Sequence, residues 1–299
     1  SGGGFSLMVE ALGLAAQTET PIVIVEGMRP GPATGLPTWT DQGDLQFILH
    51  AAQGEFPRIV VAPGDVFEGF VDTMKAFNLA EKYQLPVIIL VDKYLMEGHA
   101  TVESGQLKDE SSKFKIERGK MVSDAEAATF TDYKRYLFTE DGISPRTIPG
   151  QQGGIALSGS DEHDERGLYN EEADIRVKMP DKRFKKLETA VAAGEFPPPV
   201  LHGPADAPLT IVAFGSTKMT VMEAMQWLGR EGVSVNFLQV KFLSPFPTQE
   251  VSNILKKTKK TLVIEGNKTG QFEGLMREHT GLSVSDHLRK YDGRPFYPE

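Results

Sequence analysis

The segment from Glu26 to Thr38 has the composition of a rigid binding loop. It holds three prolines and three glycines in thirteen residues. Proline fixes its own φ and restricts the residue before it, so such a loop is stiff. It displays one guanidinium, that of Arg29, and the hydroxyls of Thr34 and Thr38. Because a guanidinium donates two parallel hydrogen bonds to a planar carboxylate, the loop suits a small carboxylic acid.

Arg29 also has a purely structural interpretation. The carboxylates of Asp41 and Asp44 follow it closely in the chain, and an ion pair with either would only pin the loop. The residue types favour neither interpretation over the other. The carboxylate-binding role of Arg29 therefore stands at this point as one of two hypotheses.

Three other segments carry weaker chemical signals. Residues 1–4 and 215–217 place glycines before predicted helices, where backbone N–H groups can bind anions, but neither has the spacing of a phosphate-binding P-loop. Residues 162–165 read Glu-His-Asp-Glu, yet consecutive side chains rarely face one metal, which favours a surface loop. The six histidines show no metal-ligand spacing. The sequence thus predicts no catalytic residue, no metal ligand and no identified cofactor contact.

A parallel sheet must position the Arg29 loop. Apolar runs at 21–25, 58–62 and 86–91 predict buried strands, and the segments 5–16, 45–52 and 65–83 predict helices. Asp65 follows Pro-Gly and is the expected N-cap of the third helix. This alternation predicts helices on both faces of a parallel sheet. The loop leaves the carboxyl end of the first strand, where such sheets bind ligands.

The rest of the chain divides into two parts. Residues 106–207 have an irregular texture with one predicted helix at 178–192, and form a connecting segment. In 208–299, strands at 209–214, 233–240 and 261–265 alternate with helices at 216–231, 248–256 and 270–280, which predicts a doubly wound domain. The predicted domains are therefore 1–105, 106–207 and 208–299.

Composition excludes several classes of protein. The 299 residues include no cysteine, which excludes disulfides and any cysteine-ligated iron–sulfur cluster within this sequence. No apolar run has the roughly 18 residues of a membrane span. The net charge is -9, and the densest basic segment, 182–186, is predicted to be a solvated helix face, so nucleic acid is not an expected partner. No signal peptide is visible, which favours the cytoplasm.

Several motifs resemble the α subunits of archaeal and bacterial 2-oxoacid:ferredoxin oxidoreductases, particularly the 2-oxoglutarate or broad-specificity type. The two longest are SGGGFSLMVE at residues 1–10 and RPGPATGLPT at residues 29–38. The shorter ones lie at 42–44, 54–58, 76–83, 141–146, 162–165, 267–271 and 291–296. The resemblance therefore extends over nearly the whole chain.

This resemblance implies a fold and an activity. The fold would be part of the pyrimidine-side domain of a thiamine enzyme, followed by a domain like the transketolase C-terminal domain. The activity would be oxidative decarboxylation of a 2-oxoacid with coenzyme A, giving acyl-CoA, CO2 and electrons for ferredoxin. Thiamine diphosphate, Mg²⁺ and a [4Fe-4S] cluster would be held mainly by a partner β subunit. Arg29 matches the family arginine that binds the substrate carboxylate, and Thr38 matches a threonine beside it.

Two family features do not occur in this sequence. The Tyr-Pro-Ile-Thr-Pro substrate motif and the glutamate that activates the aminopyrimidine would lie before residue 1, and Glu10 belongs to a different motif. We therefore expect an upstream α fragment, with or without a fused γ domain, and activity only together with partner chains. The alternatives are a β-type subunit of a 2-oxoacid dehydrogenase or transketolase, and a non-catalytic scaffold subunit.

Overall fold

The computed structural model describes residues 1–299 and contains two mixed sheets flanked by helices. The strands are β1 (Ile22–Met28), β2 (Ile59–Val61), β3 (Pro86–Asp92), β4 (Val200–His202), β5 (Leu209–Ala213), β6 (Asn236–Gln239), β7 (Phe242–Ser244), β8 (Lys260–Glu265) and β9 (Asp286–Arg289). The helices are α1 (Gly2–Ser6), α2 (Val9–Gln17), α3 (Leu45–His50), α4 (Val66–Tyr83), α5 (Lys93–Glu97), α6 (Ser104–Lys113), α7 (Asp124–Ala127), α8 (Ala173–Ala192), α9 (Thr217–Arg230), α10 (Thr248–Leu255) and α11 (Gln271–Thr280).

The first sheet has the order β1-β3-β2-β7 and the second the order β4-β6-β5-β8-β9. In the first sheet β1, β3 and β2 are parallel, and in the second sheet β6, β5, β8 and β9 are parallel. The predicted α/β class with parallel sheets is confirmed. No helix combines the length and apolar character that a bilayer crossing requires.

Strand β1 is longer at its carboxyl end than the sequence predicts. It pairs with β3 residue by residue from Ile22 opposite Pro86 to Met28 opposite Asp92. Glu26, Gly27 and Met28, which the sequence assigns to the loop, are therefore strand residues. The partner strand extends β1, because each added residue completes backbone hydrogen bonds that a loop would leave open. Arg29 is consequently the first residue after the strand.

The predicted helix at 5–16 is divided in two. The five-residue α1 ends at Ser6, and α2 begins at Val9. The three glycines of α1 have low helix propensity, which explains its shortness. Phe5 and Leu12 are buried, whereas Met8 between the two helices is 40% exposed.

Three short strands were not predicted, and two of them connect the regions. Strand β7 lies in the last third of the chain but pairs antiparallel with β2 in the first sheet. Strand β4 precedes residue 208 but pairs antiparallel with β6 in the second sheet. Each has only three residues, too few to show a period of two. The domain limits at 105 and 208 remain predictions.

One apolar core fills the space between the sheets. A cluster of 22 buried residues combines side chains from the first region, such as Phe5 and Met28, with Phe214, Leu243 and Phe272 from the last third. Each sheet thus buries a face against residues of the other part of the chain. We call residues 207–297 the second unit, and its packing against the first sheet brings it close to the Arg29 loop.

The prediction that residues 182–186 form a solvated helix face is wrong. Lys182, Arg183 and Lys186 on α8 are 5%, 6% and 0% exposed. Lys182 Nζ donates to both carboxylate oxygens of Glu19 at 2.7 Å, and Lys186 forms an ion pair with the same carboxylate. A buried partner compensates the cost of removing these charges from water. Glu19 is separated from α8 by more than 160 residues, beyond the reach of a helix pattern.

An ionic contact also joins the second unit to α4. Asp65 is the N-cap of α4, as predicted, and accepts from the Glu68 N–H at 2.8 Å. Lys218 on α9 donates to Asp65 at 2.5 Å and to Glu68 at 2.7 Å. The ammonium thus compensates two partly buried carboxylates at once.

Replacing Lys218 by methionine is expected to lower the free energy of unfolding by about 1–3 kcal/mol, because two partly buried acceptors lose their charged donor. Denaturant titration of the purified chain measures this. Lys257→Met is the matched control, since Lys257 is exposed and should change stability by less than about 0.5 kcal/mol. Equal losses for both variants would show that the ion pairs of Lys218 with Asp65 and Glu68 do not stabilise the fold.

Candidate functional site

The Arg29 loop lies at the carboxyl edge of the parallel strands. Met28 ends β1 opposite Asp92, which ends β3, and the loop runs from Arg29 to the start of α3 at Leu45. The loop closes on itself where Leu36 N–H donates to the Pro30 carbonyl at 3.0 Å. Gly35 has φ 51°, and a Cβ there would lie 1.7 Å from the Pro30 oxygen. Only glycine allows this turn, which supports the predicted rigidity.

Arg29 is half-buried and borders an open cavity of about 290 Å³. The cavity is lined by Gly2, Gly3, Ser6, Arg29, Gly31, Pro32, Ala33, Asp44 and Phe47. The Arg29 guanidinium forms no ion pair with Asp41 or Asp44, and Asp41 Oδ1 has no hydrogen-bond partner at all. The structure therefore provides no bond for the loop-pin interpretation. A guanidinium without an internal partner at a cavity wall can bind an external carboxylate.

Carboxyl groups surround this guanidinium without contacting it. Glu26 is 1% exposed and neither of its oxygens has a hydrogen-bond partner. Burial raises the pKa of Glu26 to about 7, although the attraction of Arg29 opposes that rise. Burial also raises the pKa of Asp41 to about 6 and raises the pKa of Asp44. None of these acids bonds the Arg29 guanidinium, so its positive charge has no direct partner within the chain.

Thr38 lies elsewhere on the loop. It is exposed and lines a separate cavity of about 330 Å³ together with Tyr94 and Gly293. The structure does not bring Thr38 and Arg29 to one cavity wall. Thr38 faces residues that border the second unit, whereas Arg29 faces α1 and Asp44.

The sequence of this chain matches two protein-family models and is similar to several known proteins. The model described as pyruvate flavodoxin/ferredoxin oxidoreductase, thiamine diphosphate-binding, matches residues 1–182. The model described as pyruvate:ferredoxin oxidoreductase core domain II matches residues 207–297. The α subunit of 2-oxoacid:ferredoxin oxidoreductase 2 from Aeropyrum pernix is 42% identical over 300 residues, which is 99% of this chain and 45% of that subunit. The chain belongs to the family of 2-oxoacid:ferredoxin oxidoreductase α subunits.

Two further proteins are similar to this chain over nearly its whole length. The 2-oxoglutarate synthase subunit KorA of Methanothermobacter thermautotrophicus is 32% identical, over 100% of this chain and 76% of that subunit. A solved 2-oxoglutarate:ferredoxin oxidoreductase from Magnetococcus marinus, with 2-oxoglutarate, coenzyme A and succinyl-CoA bound, superposes with a TM-score of 0.85 at 34% identity. That match covers 99% of this chain and 50% of the solved chain. The chain thus spans about half the length of several relatives that it matches.

The remaining sequence candidates have structural roles in this family member. Ser216 Oγ donates to the buried Asp92 carboxylate. In the segment 162–165, Glu162 pairs with Arg183 at 2.6 Å and Glu165 pairs with Lys134 at 2.7 Å. The structure has no group of three or more potential metal-ligating side chains there or elsewhere. The prediction of a surface loop is wrong, because His163 is 1% exposed and packs against the Tyr136 ring.

One helix N-terminus of the second unit, that of α11, is already occupied by an internal carboxylate. The Glu265 carboxylate is fully buried and accepts from the N–H groups of Phe272 at 2.8 Å and Glu273 at 3.2 Å. An internal carboxylate therefore takes the position that a phosphate would need at the N-terminus of α11. The N-terminus of α11 therefore does not fit the diphosphate of thiamine diphosphate.

Sequence reasoning missed the residues that fix the far end of the loop. Thr40 N–H donates to the Gly293 carbonyl at 3.0 Å, and the Arg294 guanidinium lies 4.6 Å from the centre of the Trp39 ring. Gln42 is 3% exposed and contacts two segments of the second unit, at Phe214 and at 266–267. The only signal in the sequence was that Gln42-Gly43-Asp44 and residues 267–271 and 291–296 all resembled family motifs. The structure places these motifs together.

Proposed function

We propose that this chain supplies the carboxylate-binding part of the α subunit in a coenzyme A-dependent 2-oxoacid:ferredoxin oxidoreductase. One 2-oxoacid anion, one coenzyme A thiol and two oxidised ferredoxins give acyl-CoA, CO2, two reduced ferredoxins and one proton. The observation that carries the proposal is Arg29, a half-buried guanidinium without an internal partner at the carboxyl edge of β1. It lies in the loop whose sequence resembles the family's carboxylate-binding motif.

Arg29 would orient the substrate by its carboxylate. A bidentate pair fixes both the position and the plane of that group. This leaves the adjacent keto carbon at a defined distance from the loop, which is the positional advantage that an enzyme site provides. The absence of any ion pair between Arg29 and Glu26, Asp41 or Asp44 favours this role, because a bonded neighbour would compete with the substrate for the guanidinium. We propose that Thr38 acts on the same substrate from the second cavity, through its hydroxyl.

The cofactors belong to other parts of the proposed enzyme. Thiamine diphosphate, when bound, stabilises the carbanion that decarboxylation leaves. We propose that this cofactor, Mg²⁺ and the [4Fe-4S] cluster are held mainly by a β subunit, since Glu265 fills the N-terminus of α11 and the sequence has no cysteine. A cytoplasmic location remains a prediction.

Partner chains are part of the proposal. Leu7, Ile116 and Ile155 are 89%, 82% and 86% exposed, and large exposed apolar side chains are typical of surfaces that contact other subunits. We propose as partners the β subunit, the remainder of the α subunit, with or without a fused γ domain, and ferredoxin. The matched share of the Aeropyrum subunit, 45%, supports the need for further α-subunit sequence.

The test is turnover by the purified complete enzyme. Ferredoxin reduction is expected to require a 2-oxoacid, coenzyme A and thiamine diphosphate together. A panel of pyruvate, 2-oxobutyrate and 2-oxoglutarate should include at least one good substrate, and the names of the relatives put 2-oxoglutarate first. Reduction of NAD without ferredoxin would instead indicate a 2-oxoacid dehydrogenase, and ketol transfer between sugars a transketolase. Absence of all turnover in a thiamine-loaded complex would favour a scaffold.

A further inference from the structure

The Arg29 loop is bonded to the rest of the protein at its two ends, and its backbone makes few bonds to other segments in between. One end is β1, which pairs with β3 up to Met28. Between Arg29 and Trp39 its backbone hydrogen bonds are internal, from Leu36 to Pro30 and from Trp39 to Leu36. Residues 31–39 are all exposed. The position of the loop relative to the rest of the protein therefore depends on what holds its second end.

Gln42 holds that second end. Its N–H donates to the Gly266 carbonyl at 2.7 Å, and its side-chain Oε1 accepts from the Gly266 N–H at 2.8 Å. Its carbonyl accepts from Asn267 Nδ2 at 3.2 Å. These three bonds tie the loop end to the segment that follows β8. Because Gln42 is buried, water cannot replace them without cost.

The same side chain reaches two further strand ends. Gln42 Nε2 donates to the carbonyl of Phe214, just after β5, at 3.2 Å. It also lies 3.5 Å from the carboxylate of Asp92, at the end of β3. One buried amide thus connects the loop to the carboxyl ends of β3, β5 and β8, which belong to two different sheets.

Gln271 gives the loop end a second attachment to the same unit. Its Nε2 donates to the Gly43 carbonyl at 2.6 Å, and its Oε1 accepts from the Gln46 N–H at 2.9 Å. Gln271 is the first residue of α11. Both glutamines therefore hold residues 42–46 against rigid elements of the second unit.

We propose that Gln42 is a positioning residue for substrate binding, and that the second unit sets the affinity for the 2-oxoacid carboxylate through it. The inference rests on the proposed function of Arg29 and deepens it. The second unit carries none of the predicted site residues, yet its strand ends determine where the loop ends. A loop displaced by about 1 Å can reduce catalytic efficiency on the order of 100-fold.

An amide is the side chain that these partners require. Oε1 must accept from a backbone N–H while Nε2 donates to a carbonyl, and only an amide offers both at this length. A carboxylate in its place would face the Phe214 carbonyl and the Asp92 carboxylate. Methionine has a similar length but makes neither hydrogen bond, so Gln42→Met removes the side-chain contacts while the backbone bonds can persist.

The experiment compares three glutamine-to-methionine variants in the complete enzyme. Gln42→Met and Gln271→Met are expected to raise KM for the 2-oxoacid roughly 10- to 100-fold, with KM for coenzyme A and the thiamine content changed less than about twofold. Gln249 on α10 is exposed and bonds only Asn253, so Gln249→Met is the matched control. Gln271→Met keeps the test possible if Gln42→Met does not assemble.

A double variant separates positioning from general stability. If Gln42 acts through Arg29, then adding Gln42→Met or Gln271→Met to Arg29→Met should reduce kcat/KM by less than about threefold more, because coupled residues are not additive. Full additivity would overturn the inference, as would unchanged KM for the 2-oxoacid in both single glutamine variants while Arg29→Met is defective. If Arg29→Met itself is normal, the proposed function fails, and the inference fails with it.

Discussion

Replacing Arg29 by methionine in the complete enzyme is expected to lower kcat/KM for 2-oxoacids by roughly 30- to several-thousand-fold. Removing one partner of a desolvated charge pair costs about 2–5 kcal/mol, and each 1.4 kcal/mol corresponds to about a tenfold change. Arg29→Lys keeps the charge but loses the planar fork, so its efficiency should lie between wild type and Arg29→Met. Steady-state kinetics with saturating coenzyme A and ferredoxin measure the effect.

The loop-pin interpretation makes different predictions for the same variants. If Arg29 only held the loop through Asp44, then Asp44→Asn would cause a comparable loss, and both would lower the melting temperature. If it binds substrate, the thiamine content should stay nearly unchanged. Arg230→Met is the matched control, because Arg230 is exposed at the end of α9. Normal kinetics for Arg29→Met would reject the substrate-binding assignment.

The position of Arg29 could be predicted because the information is local. A buried apolar run ending before a loop rich in proline and glycine places the arginine at the carboxyl edge of a parallel sheet. Only the length of β1 was misjudged, since pairing with β3 decides where it ends. The relation between Arg29 and Thr38 was not local. The loop turns at Gly35, which separates two residues that lie nine positions apart in sequence.

Gln42 could not be assigned a role from the sequence. Its partners Phe214, Gly266 and Asn267 lie 172 to 225 positions away. A glutamine after a loop has no periodicity and no special backbone conformation to mark it. Tertiary packing of the second unit against the first sheet creates its environment, and that packing includes β7, a strand too short to recognise.

The buried charges of α8 show the same limit with the opposite result. A helix with basic residues at 182, 183, 185 and 186 resembles a solvated face, and Lys185 is indeed exposed. Lys182 and Lys186 face Glu19, which follows α2 in a left-handed conformation with φ 51°. Arg135 also donates to the Glu19 carbonyl at 2.8 Å. The cluster therefore joins the end of α2 to α8 and to Arg135, which lies earlier in the connecting segment.

Replacing Glu19 by glutamine is expected to lower the free energy of unfolding by about 3–5 kcal/mol, because two buried ammonium groups lose their counter-charge. Denaturant unfolding at neutral pH measures this. Glu188→Gln is the matched control on α8, the helix that carries both lysines. Glu188 pairs with Lys185 at the surface, so this substitution should cost less than about 1 kcal/mol. A loss in Glu19→Gln no larger than in the control would show that the cluster is not a buried ion network.

A triple variant tests whether charge or shape holds the cluster together. Glu19→Leu combined with Lys182→Met and Lys186→Met removes all three charges and should recover most of the stability, because apolar side chains can replace buried ion clusters.

The wild-type cluster should also respond to acid. The two lysines lower the pKa of Glu19, against burial, to about 2. A depressed carboxyl pKa adds stability that is complete above the unfolded value near 4.5 and disappears as the pH falls through about 2. The triple variant should lack this acid-dependent loss.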